Sequence, residues 1–302
     1  MKELFGVTVA MVTPITKDNR VDPEGVAQLT DMLIEKGVNC LYPCGTTGEM
    51  LRLSVAERKL VAETVVKTAD KRVNVFVHCG CMNQEDTIEL VKHARDIGAD
   101  GAGVVTPEFF GLNDREMEEY YVAVASAAPD FPIYLYNIPQ CAANDLKADV
   151  AQRIAKRCPN VVGIKYSFAD IVRTVDYINI NEGNFSVLHG HDRAMVAMLA
   201  LGCKGTVSGI AGIYPEPFVA AYQAYMAGDL QKAQQYQKIC VKFVDALRGG
   251  SNMSYFKEAL KMRGINAGYM RAPQLDLPED EVAALRIQLQ AICDEAGLKM
   301  EL

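Results

Sequence analysis

Lys165 closes an apolar, β-forming run, Val161-Val162-Gly163-Ile164-Lys165. Among apolar neighbours a lysine amine is disfavoured as a cation, and the neutral amine attacks carbonyl carbon. Taken alone, the strand fits equally a lysine stretched along its own stem to solvent. Strict alternation puts Val161, Gly163 and Lys165 on one face, with Gly163 leaving room beside the lysine stem. The ends of other runs tip the reading toward chemistry. Tyr136 ends Tyr134-Leu135-Tyr136. A phenol beside an amine nucleophile can shuttle the proton that carbinolamine formation and dehydration require. Tyr134 competes for that role one layer deeper. Gly45-Thr46-Thr47-Gly48 sets two hydroxyls between two glycines. Such a turn presents N–H and O–H donors to a small carboxylate. No Gly-Lys-Ser/Thr follows, so it is not a phosphate loop. Glu49, just beyond, reads as a brace for the turn. His189-Gly190-His191-Asp192 and Thr206-Val207-Ser208-Gly209 end two further runs.

A rival chemistry rests on His78-Cys79-x-Cys81 and His189-x-His191-Asp192. These are metal-ligating types, and a metal-dependent aldolase or hydrolase would use them. His78 and Cys79 alternate in direction along a strand, however, and no third cluster completes a set. No metal is expected. The nine cysteines are odd in number and lack any C-x-x-C spacing. They read as small buried hydrophobes in a reducing compartment.

The elements that must position these residues alternate regularly. Strand candidates span 5–12, 38–42, 73–79, 101–105, 132–136, 161–165, 185–189 and 205–208. Helix candidates lie between them at 23–36, 55–68, 83–97, 113–127, 146–157, 169–180, 193–201 and 217–227. Asp22-Pro23 is a cap followed by a proline at the first helical position, and Ser54-x-x-Glu57 is a capping box. Eight strand–helix repeats of roughly thirty residues predict a parallel (β/α)8 TIM barrel rather than an open sheet. An open doubly wound sheet carries a glycine-rich turn after its first strand, and here Val12-Thr13-Pro14 stands there. Beyond residue 228 the pattern is purely helical, at 229–247, 253–263 and 279–296. The expected division is a barrel with the active site over 1–228 and a C-terminal three-helix extension packed on it over 229–302. In such a barrel the site lies at the C-terminal strand ends, where all the residues above fall.

The balance of 31 basic and 38 acidic residues, net −7 over 302 residues, argues against nucleic acid as a partner. No apolar run approaches the roughly 20 residues that cross a bilayer, and the N-terminus lacks a signal-peptide layout. A cytoplasmic protein with no membrane partner is expected.

Three motifs together, Gly45-Thr46-Thr47-Gly48-Glu49, Tyr136-Asn137-x-Pro139 and Gly163-Ile164-Lys165, carry a resemblance over nearly the whole chain. The sequence resembles the dihydrodipicolinate synthase / N-acetylneuraminate lyase family of class I aldolases. The resemblance implies a homotetramer, a small-molecule substrate (pyruvate or a 2-oxo acid), and no cofactor beyond a lysine Schiff base. By position, Lys165 is similar to the Schiff-base lysine and Tyr136 to the proton-transfer tyrosine. Thr46 and Thr47 are similar to the pair that holds the pyruvate carboxylate and links to the tyrosine. Val207 matches the residue whose carbonyl faces the keto acid. Ser208, Gly190 and Asp192 fall where the lyases hold the rest of a sugar acid.

Two departures bear on the substrate. Phe109 stands where the synthases carry a relay tyrosine. Cys141 stands where they carry an arginine for the carboxylate of aspartate semialdehyde. Both favour cleavage of a sugar-acid-like or other 2-oxo acid to pyruvate and an aldehyde over dihydrodipicolinate synthesis. The lyase pattern is also incomplete, because Arg193 follows Asp192. A catalytically idle small-molecule sensor is the reading from another class, and the intact Lys165 and Tyr136 argue against it.

Overall fold

Short β-branched runs too brief to bury themselves alone associate edge to edge, and their amphipathic connections cover the outside. The computed structural model describes residues 1–300. Its strands are β1 (Gly6–Ala10), β2 (Cys40–Tyr42), β3 (Asn74–His78), β4 (Gly101–Val105), β5 (Ile133–Asn137), β6 (Val161–Tyr166), β7 (Ser186–His189) and β8 (Gly205–Ser208). They pair in parallel in chain order, and β8 returns to β1 to close a barrel. The (β/α)8 expectation is met.

Around it lie α1 (Pro23–Glu35), α2 (Val55–Ala69), α3 (Gln84–Asp96), α4 (Asp114–Ser126), α5 (Pro139–Ala142), α6 (Ala148–Arg157), α7 (Ile171–Ile178), α8 (Met195–Leu201) and α9 (Pro215–Met226). The caps read from the sequence do their work. Asp22 accepts from the N–H groups of Glu24 and Gly25, and Ser54 and Glu57 form the reciprocal box. Each such cap is worth about 1 kcal/mol. The short α5 was not foreseen. Pro139 starts it and Ala143, at φ 62, ends it, so it lifts Cys141 out of an extended path.

Three more helices, α10 (Leu230–Ala246), α11 (Met253–Lys261) and α12 (Glu279–Ala296), follow the barrel. Buried ion pairs join them to it. Lys257 lies 2.9 Å from Glu49, both almost wholly enclosed. Arg271 pairs with Glu57 and donates to the Arg52 carbonyl at 2.7 Å. Arg263 holds Glu216 and the Ile213 carbonyl. Glu49 is also bound by Arg52 at 2.8 Å, which makes it the brace expected of it.

Of three apolar clusters, the two with most residues make up the bulk of the core, and the third gathers Met50, Val105, Tyr136, Ile138 and Ala142. The largest lies between barrel and helices. The second joins Ala10, Cys40, Tyr42, Phe76, Tyr134, Leu188 and Val207, from six strands that can meet only inside the barrel. Seven of the nine cysteines are buried, and none is in a disulfide. No helix among the described residues is long and apolar enough to cross a membrane.

The face assigned to β6 needs correction. A register shift opposite Ile133 and Tyr134 interrupts its alternation. Val161 joins the outer core, while Val162 packs on the interior cluster. Gly163 faces inward, but the space it leaves is filled by the Tyr134 ring and the Ser186 carbonyl, one layer below the lysine stem.

Gly103 makes the matching concession two strands away, on β4, because a Cβ there would overlap the Tyr42 hydroxyl. Gly103→Ala should destabilise the fold by about 1–3 kcal/mol, as overpacked cores do. It should also lower turnover, by displacing the ring beneath Lys165. Thermal unfolding and turnover of the one variant check both halves.

Candidate active site

Tyr136 and Lys165 are register partners on β5 and β6, so their side chains stand side by side inside the barrel mouth. The Lys165 Nζ lies 3.9 Å from the Tyr136 ring centroid and 5.0 Å from that of Tyr42. Only 4% of Lys165 is exposed. Two aromatic faces therefore replace most of the water that would solvate the amine. The Tyr136 hydroxyl shares a hydrogen bond with Thr46 Oγ1 at 3.2 Å. Either oxygen can donate, as a proton relay requires. Tyr134 is spent elsewhere. Its hydroxyl accepts from the Leu4 N–H at 3.1 Å, at the floor of the barrel.

The 45–48 turn is held by unusual backbone on both sides. Cys44 and Glu49 are left-handed, at φ 63 and 59. Thr13 donates to the Gly48 carbonyl at 2.8 Å. Thr46 is exposed at the mouth, and Thr47 is half-buried. The Thr47 hydroxyl sits only 2.9 Å from where a Cβ on Gly209 would lie, so that glycine lets the turn approach the end of β8.

Across the mouth, Val207 is buried within the interior cluster. Asp192 stands close enough to Ser208 for the hydroxyl to favour its charged form. Asp192 as a residue is partly exposed, but its Oδ1 is enclosed and has no partner among the described residues. The enclosure of the carboxylate governs its proton. Burial pushes it up to about 7, against the opposing pull of Ser208 and the Lys165 charge. Gly190 is fixed by packing, because any side chain there would overlap Ser167. Cys141 is exposed on α5. With Thr46, Met50, Arg52, Met253 and Gln274 it lines a cavity of about 450 Å3 beside the lysine pocket. Burial raises its thiol above the usual range.

The structure thus gathers Lys165, Tyr136 and Thr46 in contact, with Thr47 and Cys141 at the same rim. Asp192 and Ser208 lie on the β7–β8 side, near enough for Asp192 to feel the Lys165 charge. Phe109 is 80% exposed and packs edge-on against Phe110 at 5.1 Å. Two neighbours went unforeseen, Tyr42 beneath the amine and His78, whose ring meets Tyr136 edge-on at 5.8 Å. Both close their strands, β2 and β3. The strand-end signal was there, but Tyr42 was not singled out and His78 was read only as a metal-ligating type. Among the described residues, no three His, Cys, Asp or Glu side chains gather where they could hold a metal.

The Asp192 carboxyl gives a stability test. Between its ordinary value of 3.8 and about 7, the folded chain keeps a proton that the unfolded chain has released. Folded protein then binds more protons, and stability falls as pH rises across that window. Asp192→Asn should remove this slope. Its melting temperature should exceed that of the unsubstituted chain at pH 8, and the gap should narrow by pH 4.

The dihydrodipicolinate synthetase family model matches residues 3–292. The chain belongs to that family. A 4-hydroxy-tetrahydrodipicolinate synthase of Methanothrix thermoacetophila is 34% identical over 97% of this chain and 98% of its own length. An N-acetylneuraminate lyase of Mediterraneibacter gnavus is 29% identical over 97% and 94%. Among solved structures, a prophage protein of the dihydrodipicolinic acid synthase family from E. coli K12, in complex with pyruvate, matches with a TM-score of 0.90. It is 29% identical, and the match covers 96% of this chain and 99% of that one. As a dihydrodipicolinate synthetase family member, the protein is a class I pyruvate aldolase or lyase. The family works through a covalent lysine–pyruvate Schiff base and needs no added cofactor. Its substrate is a small molecule.

Proposed function

We propose that this family member cleaves a sugar-acid-like 2-oxo acid with a 4-hydroxyl group, reversibly, to pyruvate and an aldehyde. The observation that carries this reading is the split character of the site. One side holds Tyr136 in contact with both Lys165 and Thr46. The other offers Asp192 and Ser208, which suit substrate hydroxyls. The Lys165 Nζ attacks the C2 ketone, and water leaves to give the iminium. Tyr136, relayed through Thr46, takes the proton of the 4-hydroxyl. The electron pair of the C3–C4 bond moves into the iminium, and the aldehyde departs. Protonation of the enamine at C3 and hydrolysis return pyruvate and the free amine. Thr46 and Thr47 bind the pyruvate carboxylate, and the Val207 carbonyl faces the keto acid. Gly190, packed against Ser167, borders the sugar chain, and Cys141 borders the aldehyde side.

A second reading, condensation of pyruvate with aspartate semialdehyde, is favoured by one observation. Arg52 lines the same cavity as Cys141 and could meet an acceptor carboxylate. Its guanidinium is already engaged by Glu49 at 2.8 Å, which weakens that reading. A pyruvate-release screen over 2-keto-3-deoxy acids and sialic acids, run beside a coupled synthase assay, decides between them. The main reading requires lyase turnover to exceed synthase turnover. Removing a charge-assisted contact to the acceptor costs on the order of ten- to a hundredfold in binding.

The same proposal places the protein in the cytoplasm, with 229–302 acting as an appendage of the 1–228 barrel. It takes the working form to be a homotetramer. Light scattering should give four times 33.1 kDa, and a monomer would overturn the assembly.

A further inference from the structure

The turn carrying Thr46 and Thr47 is entered through Cys44 in a left-handed conformation that a cysteine does not adopt unaided. Something must hold it. The Cys44 carbonyl lies 3.0 Å from Nδ1 of His78, at the end of β3. A carbonyl oxygen only accepts, so Nδ1 carries the proton and donates. The approach of Arg58 Nη2 to the same nitrogen, at 3.3 Å, is then not a hydrogen bond, because a ring N–H cannot also accept. Arg58 instead donates to the carbonyls of His78 at 2.8 Å and Gly80 at 2.9 Å, locking the strand end that presents the imidazole. The His78 N–H donates to the Pro43 carbonyl at 3.0 Å, so two bonds tie β3 to the approach to the turn.

The ring itself is wholly buried. It lies edge-on to Tyr136 and tilted against Tyr42 at 5.9 Å, the two rings nearest Lys165. Its Nε2 has no partner among the described residues. Burial first, then the charges of Arg58 and Lys165, holds the imidazole far below its usual range, so it stays neutral.

We propose that His78 is a positioning residue. Its Nδ1–H fixes the Cys44 carbonyl, and so sets where the Thr46 and Thr47 hydroxyls stand relative to Lys165 and Tyr136. The inference rests on the Schiff-base reading, in which those hydroxyls bind the keto-acid carboxylate.

Two amide substitutions separate the bond from the bulk. The amide nitrogen of His78→Asn falls near the place of Nδ1, whereas that of His78→Gln falls near Nε2. Both are uncharged, and only Asn can restore the donor to Cys44. Each chain, its folding checked by circular dichroism, is titrated with pyruvate and reduced with borohydride, and the adduct is quantified by intact mass. The pyruvate concentration giving half-maximal adduct should rise about tenfold in Gln, the scale of one buried hydrogen bond, and stay within about threefold in Asn. Adduct at saturating pyruvate should be complete in both. If Gln does not fold, His78→Leu, which buries no polar group, takes its place with the same expected shift. Equal half-saturation in Asn and the donor-less variant would overturn the positioning role. Absence of an adduct in the unsubstituted chain would instead overturn the Schiff-base reading beneath it.

Discussion

Lys165→Met should abolish pyruvate chemistry, lowering turnover by on the order of 10^4-fold or more, because removing a covalent nucleophile removes the pathway itself. Methionine is the informative replacement. It is unbranched like lysine, fills irregular apolar space, and leaves no charge to bury between Tyr136 and Tyr42. Lys165 is almost fully enclosed, so its melting temperature should hold or rise while activity disappears. Substantial residual turnover in a folded Lys165→Met chain would place the nucleophile elsewhere.

Tyr136→Phe carries the second largest effect. Phenylalanine keeps the ring on which the lysine amine rests and the edge contact with His78. It deletes only the hydroxyl that bonds Thr46. Losing a positioned proton-transfer group costs about 10^2–10^4-fold. The loss should fall on kcat, with KM for the keto acid and the melting temperature little changed. Borohydride trapping should still occur, but slowly. Thr46→Val should reproduce part of the loss, and the double variant should cost less than the product of the two singles, since both act through one bond. Strictly multiplicative effects would show that the 3.2 Å contact carries no proton.

The barrel was legible because its information is local and repeated. Each strand is an apolar run bounded by turn residues, and each cap is a few adjacent positions. Asp22 and Ser54 could therefore be read directly, and both cap as expected. Lys165, Tyr136 and Thr46 were legible for a related reason, as polar residues closing apolar strands. What stayed hidden depends on partners distant in sequence. The shift in β6 arises from pairing with β5, so alternation counted along β6 alone gave Val161 the wrong face. Gly163 was taken as room for the lysine, but the interior layer below had already claimed it for Tyr134. Tyr42 and His78 are buried aromatics in a run of core residues. Only closure of the barrel brings them against the amine and the phenol. His78 was visible as a metal-ligating type, but its donor is turned to a backbone carbonyl rather than to an ion.

The central claim is that Lys165 forms the Schiff base, and one measurement addresses it directly. The unsubstituted protein is incubated with pyruvate, reduced with borohydride, digested, and mapped by peptide mass spectrometry. The account predicts one reduced pyruvate adduct, on Lys165. An adduct on exposed Lys204, or none at all, would contradict it.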